Sequence, residues 1–226
     1  MADGLRRAAV LGRPIAHSLS PALHRAAYAA LGLPWSYDAV DVGQDDLAGF
    51  LDGLDAGWAG LSLTMPLKAA VLPLLDEVEP LAAEVGAVNT VVLVEGRRWG
   101  FNTDVPGMAA ALRPTLRDGA SSVAVLGGGA TARSAVAAVG ALGLAAATCW
   151  TRRAEQGEEL VALGARVGVE VTAEPWERAE EALLADVVVA TVPAGGADEL
   201  AGAVPAGAGA LLDVVYAPWP TALAQA

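Results

Sequence analysis

The chain has 226 residues, a formal net charge of −12 at pH 7 and an apolar fraction of 54%. This length allows one large domain or two small ones with a buried core. The negative charge disfavours nucleic acid as a partner, and no apolar run is long enough for a membrane span or a signal peptide. Cys149 is the single cysteine and cannot form an internal disulfide. We therefore expect a soluble cytoplasmic protein with no metal site.

The first half of the chain alternates short apolar runs with longer helical segments, which is typical of an α/β fold with a mainly parallel sheet. Ser20 and Pro21 predict the start of the first helix, with serine as N-cap and proline at the first helical position. Strands are predicted at residues 8–11, 37–42, 60–64 and 88–94. Helices are predicted at residues 21–31, 45–54, 67–75, 80–84 and 105–116.

A polar segment at residues 117–122 is typical of a domain boundary and precedes a second α/β series. The run at residues 123–126 is apolar enough for a buried parallel strand, and a helix to about residue 142 follows it. We assign the helix at residues 105–116 to this second series, which gives domains at residues 1–104 and 105–226. Further strands are predicted at residues 145–150, 166–171, 186–191 and 209–214.

A glycine-rich turn joins the strand at residues 123–126 to the next helix and fits the pattern G-x-G-x-x-A. In this pattern the first glycine makes the tight turn and the second lets a pyrophosphate approach the backbone. The helix N-terminus adds N–H donors and a positive dipole. The turn therefore predicts a dinucleotide site, and its candidate residues are Gly127, Gly128, Gly129, Ala130 and Thr131.

The end of the next strand distinguishes between the two nicotinamide cofactors. An NAD site usually places an acidic residue there to bind the ribose 2′-hydroxyl, whereas an NADP site prefers cations. Thr151, Arg152 and Arg153 stand at this position, and no acid occurs before Glu155. Because guanidinium groups bind phosphate in a bidentate manner, the segment predicts NADP.

Lys68 is the only lysine among 14 basic side chains. A bias that replaces lysine by arginine spares the copy whose function arginine cannot perform, and arginine cannot release a proton. The alternative is that coding bias left one lysine by chance. Asn89 and Asn102 are likewise the only asparagines, and both follow Lys68 within the first domain.

Four short segments carry polar residues that their apolar surroundings do not require. Each has an ordinary structural explanation, such as a helix cap or a turn, but their order ahead of a dinucleotide turn is specific. The segments are His17-Ser18-Leu19-Ser20-Pro21, Ser62-Leu63-Thr64-Met65-Pro66-Leu67-Lys68, Gly86-Ala87-Val88-Asn89-Thr90 and Gly100-Phe101-Asn102-Thr103-Asp104.

Together with the glycine turn and a Leu-Asp-Val-Val-Tyr-Ala-Pro-Trp-Pro-Thr segment near the end, these segments resemble the shikimate dehydrogenase family in the family's order. The resemblance implies NADP-linked reduction of 3-dehydroshikimate to shikimate in aromatic biosynthesis. It also implies an N-terminal α/β substrate domain, a C-terminal Rossmann domain and a cleft between them.

The resemblance also implies roles for individual residues. Lys68 would transfer the proton, and Asp104 would orient it and keep its ammonium group charged. The residues that would contact the substrate are Ser18, Ser20, Ser62, Thr64, Asn89, Asp104 and Tyr216. Those that would contact the cofactor are Gly127 to Thr131, Thr151, Arg152, Arg153 and, near the nicotinamide, Val214.

The chain departs from the family pattern in three places. Relatives often have asparagine at the position of Ser62. The serine side chain reaches less far, or it bonds to the substrate through a water molecule. The shifted register around Thr151 leaves open whether Arg152 or Arg153 reads the 2′-phosphate. Relatives also continue beyond Leu223 with a tail that contributes a glutamine, for which Gln225 lies too early.

These departures leave alternatives open. A chain without the tail would expose apolar surface or cover it with a partner, so a homodimer is one expectation. The enzyme alternatives are a quinate/shikimate or an aminoshikimate dehydrogenase. A dinucleotide-binding relative without catalysis is the alternative from a different class.

Overall fold

The computed structural model describes residues 5–114, 116 and 121–226. The chain forms two compact units, the first ending at Thr103 and the second beginning at Asp104. Each unit has its own sheet, and both are α/β. Residues 117–120 of the polar segment predicted as a boundary lie outside the described residues.

The first unit contains a six-stranded mixed sheet. The strands are β1 (Arg6–Gly12), β2 (Trp35–Asp41), β3 (Trp58–Leu63), β4 (Glu77–Val78), β5 (Thr90–Val94) and β6 (Arg97–Phe101). Their order in the sheet is β2-β1-β3-β5-β6-β4. The pairs β1–β2, β1–β3 and β4–β6 are parallel, whereas β3–β5 and β5–β6 are antiparallel.

Alternating apolar residues give the sheet of the first unit two packed faces. On one face, Leu11 and Leu63 pack with Leu47 and Leu51 of the second helix. On the other face, Val10 belongs to a smaller cluster with Tyr37 of β2. The helices are α1 (Ser20–Ala30), α2 (Gln44–Asp52), α3 (Leu67–Ala70) and α4 (Pro80–Val85), with a 3₁₀ turn at Leu72–Leu74.

Two helix predictions in this unit were wrong in detail. The helix expected at residues 67–75 ends at Ala70 and continues as a 3₁₀ turn, because Pro73 has no N–H to give to the helix. Ser20 is not the N-cap of α1 but its first residue, after Leu19. The Ser18 hydroxyl instead accepts the backbone N–H of Ser20 at 3.3 Å.

The second unit contains a five-stranded, wholly parallel sheet with the order β11-β10-β7-β8-β9. Numbered within the unit, this order is 3-2-1-4-5, the order of the Rossmann fold, and the strand order reverses between β7 and β10. The strands are β7 (Val123–Leu126), β8 (Ala146–Thr151), β9 (Glu170–Pro175), β10 (Val187–Ala190) and β11 (Ala210–Asp213). The helices are α5 (Asp104–Leu112), α6 (Ala130–Ala141), α7 (Ala154–Val167) and α8 (Ala222–Gln225), with 3₁₀ segments at Trp176–Leu184 and Asp198–Ala203.

The strand predicted at residues 166–171 begins later than expected. Arg166 and Val167 are the last residues of α7, and Gly168 ends the helix with a left-handed φ of 75°. Glycine adopts this conformation without steric cost, so the chain turns there and β9 begins at Glu170. The helix predicted at residues 105–116 is shorter than expected and ends at Leu112.

Candidate active site

Four strands, β1, β3, β5 and β6, bring the polar segments of the first unit to one edge of its sheet. Leu11 pairs with Leu63, so the carboxyl ends of the parallel strands β1 and β3 meet there. Thr90 pairs with Ser62 on one side and with Phe101 on the other. Because β5 is antiparallel to both neighbours, its start lies beside the ends of β3 and β6. The segments containing Ser18 and Ser20, Thr64 and Lys68, and Asn89 therefore converge at this edge.

Asn89 lies at the centre of this edge. Its backbone carbonyl accepts the N–H of Leu63 at 2.7 Å, and its N–H donates to the carbonyl of Phe101 at 3.1 Å. Its side chain bonds to Thr103, and the Asn102 amide, 2% exposed, donates to the Ala87 carbonyl at 3.0 Å. The ordinary role of holding a turn is therefore observed for both asparagines.

Lys68 is the second residue of the short helix α3, and its side chain is half-buried. Its backbone carbonyl accepts the N–H of Val88 at 2.8 Å, which fixes the start of α3 against the segment that carries Asn89 and leads into β5. Asp104 is the first residue of α5 and therefore belongs to the second unit.

Gly12, at the end of β1, permits a close approach that sequence reasoning missed. A Cβ at this position would lie 2.8 Å from the carbonyl oxygen of Met65 and would overlap the Thr64 methyl group. Thr64 itself donates its backbone N–H to Leu11 at 2.9 Å. Any larger residue at position 12 would displace the loop between Thr64 and Lys68. The only sequence signal is a glycine at a strand end beside a polar segment.

Tyr37 is a second residue that the sequence did not reveal as part of the site. Its ring is 2% exposed, and its hydroxyl donates a hydrogen bond to Ser62 Oγ at 2.7 Å. Ser62, which is predicted to contact substrate, is thus held by a phenol from a different strand. Nothing in the sequence distinguishes this tyrosine from an ordinary core aromatic residue.

The glycine turn of the second unit is open where a pyrophosphate would need to approach. Gly127 has a φ of 117°, and a Cβ there would lie 2.5 Å from the Thr191 hydroxyl, so the position requires glycine. Gly129 is the exposed N-cap of the 12-residue helix α6, and a Cβ placed on it meets no atom within 4 Å. Ala132 is fully buried and lets α6 pack closely on the sheet. These features fit a dinucleotide.

The residues at the end of β8 and directly after it differ in how they are held. The Thr151 side chain is 5% exposed, and its hydroxyl donates to the Arg153 carbonyl at 3.1 Å. Arg152 donates to the Gly196 carbonyl at 2.7 Å, and its guanidinium carbon lies 4.8 Å from the centroid of the Trp176 ring. Arg153 is exposed at the N-cap of α7. Two cations at this place suit a phosphate better than a ribose hydroxyl.

The other predicted site residues of the second unit follow β11. Val214 donates its backbone N–H to Ala190 at 3.1 Å, which places it at the carboxyl edge of the parallel sheet. Tyr216 is 48% exposed two residues later.

In the described residues, no three His, Cys, Asp or Glu side chains form a group that could hold a metal ion. Among these same described residues, which span both units, no helix is long and apolar enough to cross a membrane.

Comparison with known proteins agrees with this architecture. Residues 10–91 match the family described as shikimate dehydrogenase substrate binding domain. The chain is 41% identical to shikimate dehydrogenase (NADP(+)) of Thermus thermophilus over 225 residues, which are 97% of this chain and 82% of the relative.

Two crystal structures extend the likeness to the fold. Shikimate dehydrogenase of Mycobacterium tuberculosis superposes with a TM-score of 0.88 at 41% identity, covering 97% of this chain and 83% of the other. Shikimate 5-dehydrogenase of Thermus thermophilus, in complex with NADP(H) and shikimate, superposes with a TM-score of 0.83 at 37% identity, covering 97% and 82%. Because identity at this level extends over nearly its whole length, this chain belongs to the shikimate dehydrogenase family.

Proposed function

We propose that this chain catalyses the reversible, NADPH-dependent reduction of 3-dehydroshikimate to shikimate in aromatic biosynthesis. The observation that carries the proposal is the convergence of Ser18, Thr64, Lys68 and Asn89 at one sheet edge of a chain that is 41% identical to an NADP-dependent relative. The second unit adds an open glycine turn for the cofactor.

The first unit would bind the acid. Ser18 and Ser20 stand at the N-terminus of the 11-residue helix α1, whose first turn contains no acidic residue. Hydroxyl donors and a helix N-terminus together favour a carboxylate. The hydroxyl groups of the ring would bond to Ser62, Thr64, Asn89 and Asp104, and Tyr216 would add a further contact.

The second unit would bind NADP. Gly127 to Thr131 would hold the pyrophosphate, Val214 would lie near the nicotinamide, and Arg152 and Arg153 would hold the adenosine 2′-phosphate beside Thr151. When bound, the cofactor supplies the hydride in reduction and accepts it in oxidation. The protein contributes position and charge.

Lys68 would supply the proton. As the ketone carbon receives the hydride, its oxygen becomes an alkoxide, and the Lys68 ammonium donates a proton to that oxygen. The neutral amine is then reprotonated from solvent, and the steps reverse when shikimate is oxidised. Asp104 would accept a hydrogen bond from a substrate hydroxyl.

We also propose that the chain works in the cytoplasm and pairs with a second copy. Cys149 is a free thiol, which is usual in a reducing compartment, and burial raises its pKa to about 12, so it stays protonated at neutral pH. Leu23 and Leu31 are exposed on or beside α1 and offer apolar surface for a second copy. Sedimentation velocity across a concentration series tests the pairing, and a constant monomer would contradict it.

An absorbance assay of NADPH formation from shikimate and NADP⁺ tests the catalytic proposal. Quinate in place of shikimate tests the quinate dehydrogenase alternative, and NAD⁺ in place of NADP⁺ tests the cofactor. Turnover with shikimate and NADP⁺ is expected. Binding of NADP⁺ without turnover of either acid would favour the relative without catalysis.

A further inference from the structure

The Tyr37 side chain extends from the edge strand β2 across its neighbour β1 in the sheet of the first unit. Tyr37 lies in β2 and Ser62 in β3, with β1 between them. Tyr37 pairs with Ala8 of β1, whose small side chain leaves room for the aromatic ring on this face of the sheet. The phenol thereby extends over β1, and its hydroxyl lies 2.7 Å from Ser62 Oγ on the strand beyond.

Helix α1 covers the face of the Tyr37 ring that is turned away from the sheet. The imidazole of His24 stacks on it with ring centroids 3.9 Å apart and an interplanar angle of 11°. A ring nitrogen of His24, Nδ1, bonds to the Ser20 carbonyl at 2.9 Å. The Tyr37 ring is therefore fixed between the sheet and α1, and its hydroxyl has a single direction.

The Tyr37 hydroxyl is a donor in this environment. Burial raises the pKa of the Tyr37 phenol, while its hydrogen bonds with Ser62 and Ser20 oppose the rise, so it keeps its proton at neutral pH. A phenol has one proton to donate, and here Ser62 Oγ accepts it. The proton of the Ser62 hydroxyl is then free to point away from Tyr37, toward another acceptor.

We propose that Tyr37 is a positioning residue for the substrate: it turns the Ser62 hydroxyl into an oriented donor. The inference rests on the proposed function, in which Ser20 and Ser62 contact the acid. It also accounts for the shorter Ser62 side chain, because a serine fixed by Tyr37 presents its proton in one direction, whereas a free serine rotates.

Tyr37→Phe removes only the hydroxyl and tests this role. We expect the KM for shikimate to rise about 2- to 10-fold, the range of one neutral hydrogen bond, with the KM for NADP⁺ unchanged. Tyr28→Phe is the matched control, because Tyr28 belongs to the same aromatic cluster, with its ring centroid 6.0 Å from that of His24, and is assigned no contact with the substrate. It should leave both KM values unchanged.

A double-mutant cycle with Ser62→Ala separates positioning from folding. If Tyr37 acts through Ser62, Tyr37→Phe should raise the KM in the wild-type background and have no further effect in the Ser62→Ala background. Equal effects in both backgrounds, or a KM unchanged by Tyr37→Phe in an active enzyme, would overturn the inference alone. A wild-type chain without turnover of shikimate would overturn the proposed function and the inference with it.

Discussion

The side-chain amide of Asn89 donates a hydrogen bond to the Thr103 hydroxyl at 2.9 Å, and its oxygen accepts the backbone N–H of Thr103 at 2.9 Å. Asp104 follows Thr103 directly in the chain. The turn that leads to a proposed catalytic carboxylate is therefore held by a residue that is itself a proposed substrate contact. An observed structural role and a proposed binding role therefore coincide at Asn89.

Lys68→Arg tests whether the only lysine transfers a proton. We expect kcat to fall by about 10²–10⁴-fold, nearly as far as in Lys68→Ala, because arginine keeps the charge but does not give up a proton. The exposed Arg97→Lys makes the reverse exchange and should leave turnover unchanged. Wild-type turnover in the Lys68→Arg enzyme would leave Lys68 with an electrostatic role only.

Removing the charges of Arg152 and Arg153 together tests the cofactor assignment. Binding of NADP⁺ should weaken by on the order of 1.5–3 kcal/mol for each charge-assisted hydrogen bond to the phosphate that is removed, while binding of NAD⁺ changes little. Calorimetric titration with 2′,5′-ADP and with 5′-AMP isolates the phosphate contribution without turnover. Arg166→Ala at the other end of α7 is the control. Equal weakening of both nucleotides would contradict the 2′-phosphate role.

Gly12→Ala tests the close approach of Thr64 to β1. The added methyl group forces the Met65 backbone to move, so we expect a loss of about 1–3 kcal/mol of stability and a higher KM for shikimate. Gly49→Ala in α2 is the control, because its Cβ meets no atom within 4 Å, and it should stabilise the fold by about 0.5–1 kcal/mol. Equal melting temperatures and KM values in the two variants would show that the approach is unimportant.

Asp186 predicts a pH-dependent contribution to stability. The backbone N–H groups of Ser121 and Ser122 and the Ser122 hydroxyl donate to its Oδ2 at 2.9, 3.0 and 2.8 Å, and these bonds lower its pKa. A carboxylate with a lowered pKa in the folded state stabilises the fold above its unfolded pKa of about 3.9 and loses that effect as the pH falls through the folded value. Asp186→Asn should therefore lower the melting temperature at neutral pH, and the difference should shrink below about pH 4. A difference independent of pH would contradict this.

The sequence predicted the features that depend on local pattern. Buried strands such as Val123–Leu126 are continuous apolar runs, and the polar segments after them stand at strand ends, where parallel topology brings them together. β6 (Arg97–Phe101) was missed because its arginines break the apolar pattern. The turn at Glu95 and Gly96, both with positive φ, joins β6 to β5 and allows the two strands to pair.

The contacts that orient the site did not follow from the sequence. Tyr37 and Ser62 meet across an intervening strand, and Arg152 and Trp176 meet through a loop and a 3₁₀ segment. Each pair depends on the register of separate elements, and no spacing along the chain encodes it. Sequence motifs therefore predicted which residues are candidates for the site, whereas the contacts that orient them required the fold.

The proposed reaction transfers a hydride between the nicotinamide and the ketone carbon of 3-dehydroshikimate. The most direct measurement is mass spectrometry of shikimate formed from 3-dehydroshikimate with NADPH deuterated at one face of the nicotinamide, repeated with the other face labelled. We predict that one of the two labelled cofactors places a single deuterium on the carbon that carried the ketone, and that the other places none. If neither labelled cofactor places deuterium on shikimate, or if no shikimate forms, hydride transfer by this chain is contradicted.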